Sequence, residues 1–167
     1  MDVLLLILRW IHFMAGITWI GLLYFFNLVN VNFLKALDAP TRGKVVPILM
    51  PSALWWFRWG AMITVLAGLF YIWLGPGFSQ LFTTSWGISI TIGGGLGIIM
   101  FLNVWLIIWP CQKQVIRMTA DFVAKGQPAP PEMAGYARKA FLASRTNFWL
   151  SIPMLFFMGS ATHLKLF

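Results

Sequence analysis

Residues 86–109 read WGISITIGGGLGIIMFLNVWLIIW, 24 positions without a charged side chain. At about 1.5 Å of rise per residue, such a run makes a helix long enough to cross ~30 Å of hydrocarbon. A membrane β-barrel would show ~10-residue segments of alternating polarity, whereas this run is apolar all round. Three further stretches share its character: about Val3 to Asn27, about Ala53 to Leu74, and about Asn147 to His163. The sequence therefore predicts an all-α fold. It is an integral membrane four-helix bundle of two hairpins, a single transmembrane domain over 1–167 with helices 3 and 4 extending into the cytoplasm.

Composition points the same way. Of 167 residues, 60% are hydrophobic and only 10% charged, and the mean hydropathy is +0.82. A soluble domain of this size carries far more polar surface, so lipid is expected to supply much of the solvent. The net charge of +8 could suggest nucleic acid. The positive residues sit between apolar runs, however, which is a topology signal, and no nucleic-acid partner is expected. The lone Cys111 excludes an internal disulfide, a four-cysteine zinc site and the two-cysteine attachment of a c-type haem. Acidic Asp2, Arg9 within the first apolar stretch, and the lack of a small-residue cleavage site argue against a removable signal.

The connections set direction. Lys35, Arg42, Lys44 and Arg58 belong to the first, and Lys113, Arg117, Lys125, Arg138, Lys139 and Arg145 to the third. The second, Gly75 to Ser85, is uncharged. Ten of the twelve Lys and Arg residues thus share one side, which the positive-inside rule places in the cytoplasm. Both termini then face the periplasm, in a multi-pass protein of the bacterial inner membrane.

Local signals refine this outline. Pro110 should bend or end the third span, yet the pattern continues as helix to Lys125, with Gly126 as a stop. Gln127 to Pro131 is a rigid break, and Pro131-Glu132 suits the first turn of a new helix. Trp55, Trp56, Trp59, Trp73, Trp86, Trp109 and Trp149 mark interfaces. Gly21-x5-Asn27 with Phe25 recurs as Gly97-x5-Asn103 with Phe101, either a duplicated hairpin or chance.

His12 is the most informative residue, because an ionisable side chain at that depth is costly and marks function by default. Gly16 and Trp19 follow on the same face, and a glycine one turn away leaves room for a flat macrocycle. Axial ligation of haem b is the specific reading; a proton or substrate role and a neutral structural histidine remain open. His163 closes the fourth span in the same outer leaflet, within one to two turns of His12 in height, so that one haem iron could take both. An interfacial histidine in water is the alternative. Arg9, one turn above His12, is placed to meet a haem propionate or an anionic substrate, or else to snorkel outward.

The remaining candidates are structural. Arg58 among its tryptophans suits cation–π packing or snorkelling at the inner interface. Arg145, Thr146 and Asn147 are read as the capped start of the fourth span, and Asn103 as a buried amide bonding another helix. The glycine run 93–97 lacks the strand and Lys-Ser/Thr of a nucleotide loop and suits close packing or close approach to a cofactor. No carboxylate lies in any span, which disfavours a carboxylate-based pump or transporter.

Several strings carry more than their composition. They are Arg9-Trp10-Ile11-His12 with Gly16-Ile17-Thr18-Trp19-Ile20-Gly21, and Ala53-Leu54-Trp55-Trp56-Phe57-Arg58-Trp59-Gly60-Ala61-Met62. Asn103-Val104-Trp105 with Trp109-Pro110, Ala143 to Asn147 and Leu150 to Met158 complete the set in order. Together these strings resemble the membrane-bound urate hydroxylase (urate oxidase N-terminal) family, and the resemblance implies a membrane oxidoreductase that converts urate to 5-hydroxyisourate and passes electrons to a periplasmic cytochrome c. Longer members carry further helices and a cytochrome c domain, so this chain is read as a truncated form. The other class of function is a non-catalytic membrane subunit of a larger respiratory or other complex. A homo-oligomer or a second membrane subunit, besides membrane lipid, completes the partners to consider.

Overall fold

The computed structural model describes residues 2–75 and 77–163. Among these residues the chain forms four long helices and no strand: α1 (Asp2–Ala36), α2 (Ala39–Leu74), α3 (Ser85–Lys125) and α4 (Pro131–Ser160). The all-α expectation holds. Three of them, α1 to α3, are long and apolar enough to cross a membrane by length and composition. The fourth carries Asn147, Ser151 and Pro153 in its apolar half and falls outside that set.

The helices outrun their apolar cores. The third has 41 residues, roughly 60 Å at helical rise, about twice a hydrocarbon layer. The first connection, expected as a long loop, is instead two residues, Leu37 and Asp38. Asp38 caps α2: its carboxylate accepts from the Thr41 amide at 2.7 Å and the Thr41 hydroxyl at 3.1 Å, with Pro40 in the first turn. Pro47 and Pro51 both lie inside α2. Each removes a helical hydrogen bond, yet Val46, Met50 and Leu54 bury on one stripe and hold the helix together. The fourth helix begins at Pro131, as Pro131-Glu132 suggested, so that Asn147, where its apolar run starts, lies well inside it.

Two hairpins result. One packs α1 on α2; the other packs α3 on α4, where Gly93 brings its helix against Met154 and Met158. Gly126 ends α3 at φ 61°, the left-handed cap its sequence promised. The hairpins join through Trp19, Leu23 and Phe26 of α1, Leu54, Phe57 and Ala61 of α2, Met100, Val104 and Ile108 of α3, and Met154 of α4. This core sits between mid-helix and the basic end. The opposite end of α1 is far more open, with Val3, Leu6, Trp10 and Phe13 each more than half exposed.

Both α1 and α3 widen into a π-helical stretch, at Phe25–Asn30 and Val104–Ile108. In α3 the cause is Pro110, which has no N–H to give; the preceding turn opens and Trp109 donates five residues back, to Val104. In α1 the Asn27 side chain donates to the Leu23 carbonyl at 2.9 Å, competing for the acceptor that a regular helix would use.

Candidate functional site

His12 lies on the face of α1 that meets α2. Its Nδ1 stands 2.7 Å from the carbonyl oxygen of Thr64. A carbonyl only accepts, so Nδ1 carries a proton and donates; in the neutral ring Nε2 then keeps its lone pair. Gly68, one turn further along α2, makes this possible. A Cβ there would stand 2.8 Å from His12 Nδ1 and 2.9 Å from Cε1. The Thr64 hydroxyl in turn donates to Gly60 at 2.7 Å, holding that side chain within α2. Gly16 stands against Thr64, with a Cβ position 3.7 Å from its methyl group. The room it leaves is therefore used by α2 at that point.

His163 is exposed in the turn after α4, its N–H donating to the Ser160 carbonyl at 2.8 Å. Its height follows from a second set of contacts. The Tyr24 hydroxyl and Ser151 Oγ are 3.1 Å apart, and Asn27 Nδ2 donates to Ser144 Oγ at 2.9 Å, so α1 and α4 run antiparallel. His12 lies twelve residues before Tyr24 and His163 twelve residues after Ser151. At 1.5 Å per residue each is about 18 Å beyond that contact, on the same side. Counted along the helices, the two histidines come to similar heights, the last three residues before His163 lying in the turn beyond α4. Arg9 is exposed one turn further out, with no ion pair among the described residues.

A polar seam crosses the middle of the bundle. Asn147, fully buried, donates to the Met100 carbonyl at 2.9 Å and accepts from Asn103 Nδ2 at 2.9 Å. Ser144, Asn147 and Ser151 thus form one stripe of α4 facing α1 and α3. The interhelical bond expected of Asn103 is present; Asn147 is no helix cap but an interior residue sixteen positions into α4. Asn27 and Asn103, the two asparagines of the repeated Gly-x5-Asn string, both donate to α4. Near this seam Asn27 Oδ1, Asn30 Oδ1 and Trp19 Nε1 are buried without a partner among the described residues.

Arg58 shows the cation–π packing read from its surroundings, its guanidinium carbon 3.9 Å from the Trp109 centroid and 5.8 Å from that of Trp105. Cys111 is buried and free. Among the described residues no three His, Cys, Asp or Glu side chains gather to hold a metal ion, an arrangement that axial ligation of haem does not need. Sequence reasoning missed Thr64, Gly68, Tyr24, Ser144 and Ser151. Small and hydroxylated residues in apolar helices are ordinary packing, and only the fold pairs them.

Comparison with curated proteins and with solved structures gave no match. The family model described as urate oxidase N-terminal matches residues 69–167. That segment takes in the end of α2, all of α3 and α4, the seam residues Asn103, Ser144, Asn147 and Ser151, and His163; His12 lies before it. The match spans more than half of the chain, and the chain belongs to the urate oxidase N-terminal family.

Proposed function

We propose that the chain is a urate-related membrane redox protein. In this reading all four helices cross the inner membrane with both ends periplasmic. His12 would hold a haem b, and electrons would pass to a periplasmic cytochrome c. One observation carries the ligand assignment: His12 gives its Nδ1 proton to the Thr64 carbonyl, leaving the Nε2 lone pair free. Metal-bound imidazoles are oriented and made more basic by such a second hydrogen bond. That bond supports a haem held in this way, and the similar heights that a helical count gives His12 and His163 support a second ligand from α4. Bound haem would supply a one-electron carrier. The chain's own part is to fix the imidazole, through Thr64 and Gly68, and to keep water from it with apolar helices. Arg9, on the outer side of His12, would receive an anionic group, either a propionate or a purine anion.

The test is a reduced-minus-oxidised spectrum of protein purified in mild detergent, for wild type and His12→Ala. Haem bands in wild type that vanish in the variant are expected. A well-folded wild type without bands overturns the electron-transfer reading. Urate-dependent reduction of added cytochrome c then tests the reaction. The open outer half of α1 favours one second reading, a subunit whose exposed face meets another membrane chain. Co-purification of a stoichiometric partner and absence of haem would select it.

A further inference from the structure

Arg58 is half-buried in α2, yet among the described residues it makes no hydrogen bond and no ion pair. Its Nε is buried without an acceptor, and so is the indole Nε1 of Trp105 beside it. The guanidinium lies on the face of Trp109 at 3.9 Å. A ring face attracts a cation, but it accepts no hydrogen bond from the guanidinium edge and does not neutralise the charge. The four carboxylates of the chain, Asp2, Asp38, Asp121 and Glu132, lie outside the apolar runs, and Asp121 faces Arg117. A cation held this way, in apolar surroundings, lacks its counter-charge.

Position supplies one. Trp55, Trp56 and Trp59 stand exposed around Arg58, and Lys35, Arg42 and Lys44 lie toward the same end of the bundle. In a membrane, a tryptophan belt bordered by basic residues marks the level of cytoplasmic-leaflet headgroups. We propose that Arg58, Trp105 and Trp109 form a binding site for a phosphate oxyanion, of the kind an inner-leaflet phospholipid presents. The guanidinium fork matches two phosphate oxygens. Trp109 sets the plane of that fork, and the Trp105 ring packs beside it. The site rests on α2 crossing the membrane and is independent of haem.

The test titrates detergent-purified protein with short-chain phosphatidylglycerol, inorganic phosphate, or the matching diacylglycerol, reading native mass spectra and thermal midpoints. Phosphatidylglycerol should bind wild type and raise its midpoint, with affinity falling about tenfold or more in Arg58→Gln, the scale of a lost charge-assisted bond. Arg58→Lys, which keeps the charge and loses the fork, should fall between them, and Trp105→Phe should lose less than Arg58→Gln. Without lipid, Arg58→Gln should unfold no lower than wild type, because an uncompensated charge has gone. Inorganic phosphate binding with the same dependence on Arg58 would support the site and assign it to a soluble oxyanion. Equal binding by wild type and Arg58→Gln, equal binding of diacylglycerol, or no binding of either phosphate species by wild type overturns the proposal. Recovery of folded protein without detergent would instead overturn the membrane placement.

Discussion

Gly68→Ala tests how His12 is held. In a helix interior this change normally stabilises by about 1 kcal/mol, through backbone entropy. Here the new methyl would stand 2.8 Å from Nδ1 and 2.9 Å from Cε1 of His12, against an ordinary contact of about 3.5–4.0 Å. The imidazole must swing away, and its 2.7 Å bond to Thr64 is lost. Leaving a polar ring unpaired in apolar surroundings costs about 1–3 kcal/mol, so loss and helix gain largely offset each other. Thermal stability should therefore fall by no more than about 2 kcal/mol, the difference of those two terms. The informative change is in the proton. With the chain's other histidine removed by His163→Gln, nitrogen NMR of isotope-labelled histidine reads one ring. Nδ1–H should dominate with Gly68 and give way once alanine replaces it. If haem is bound, its affinity should drop about 10–100-fold, the usual scale for losing an orienting partner. An unchanged tautomer together with unchanged haem binding would refute this account of the histidine.

Other outcomes follow from the seam and the caps. Asn147→Leu should destabilise by about 0.5–2 kcal/mol in detergent unfolding, nearer the membrane-protein range than the soluble one, and Asn103→Leu added to it should cost less than the separate effects combined. Tyr24→Phe should cost under about 1 kcal/mol, because Ser151 keeps its 2.7 Å bond to the Phe148 carbonyl. The Asp38 carboxyl is held below its ordinary value, first by the Thr41 amide and then by the Thr41 hydroxyl. A depressed carboxyl contributes stability above its unfolded value of about 4 and loses it as pH falls through the folded value. Amide exchange at the start of α2 should be slow from pH 5 upward, after correction for intrinsic rate, and accelerate below pH 4; Asp38→Ala should abolish that dependence.

Hydropathy made the helical class and three apolar spans legible, and turn chemistry placed Gly126 and Pro131. It misjudged the first connection, which is two residues and not a loop. Lys35, Arg42 and Lys44 are polar enough to read as loop, but charge on a helix outside an apolar layer breaks no rule of helix formation. The site was half legible. His12 declares itself by its cost in an apolar run, whereas Thr64 contributes through a backbone oxygen and Gly68 through the absence of a side chain. Neither property has a sequence signature. Ser144, Asn147 and Ser151 were hidden because the fourth apolar run starts among them, and a polar cluster at the start of a span reads as a cap.

The widened turn at Phe25–Asn30 sets the rotational phase of the last part of α1. A π turn holds one residue more than an α turn, so Val31 to Ala36 are rotated relative to an uninterrupted helix. Removing one residue inside the turn would let it close to α geometry and leave the two-residue link and α2 where they are. Removing one residue earlier, between His12 and Trp19, has no slack to absorb it. Everything beyond would turn by about 100°, one residue of helical pitch, taking Leu23 and Asn27 off their partners. Length changes in α1 are therefore tolerated at one place along it, and that place is on the far side of Tyr24 from the histidine.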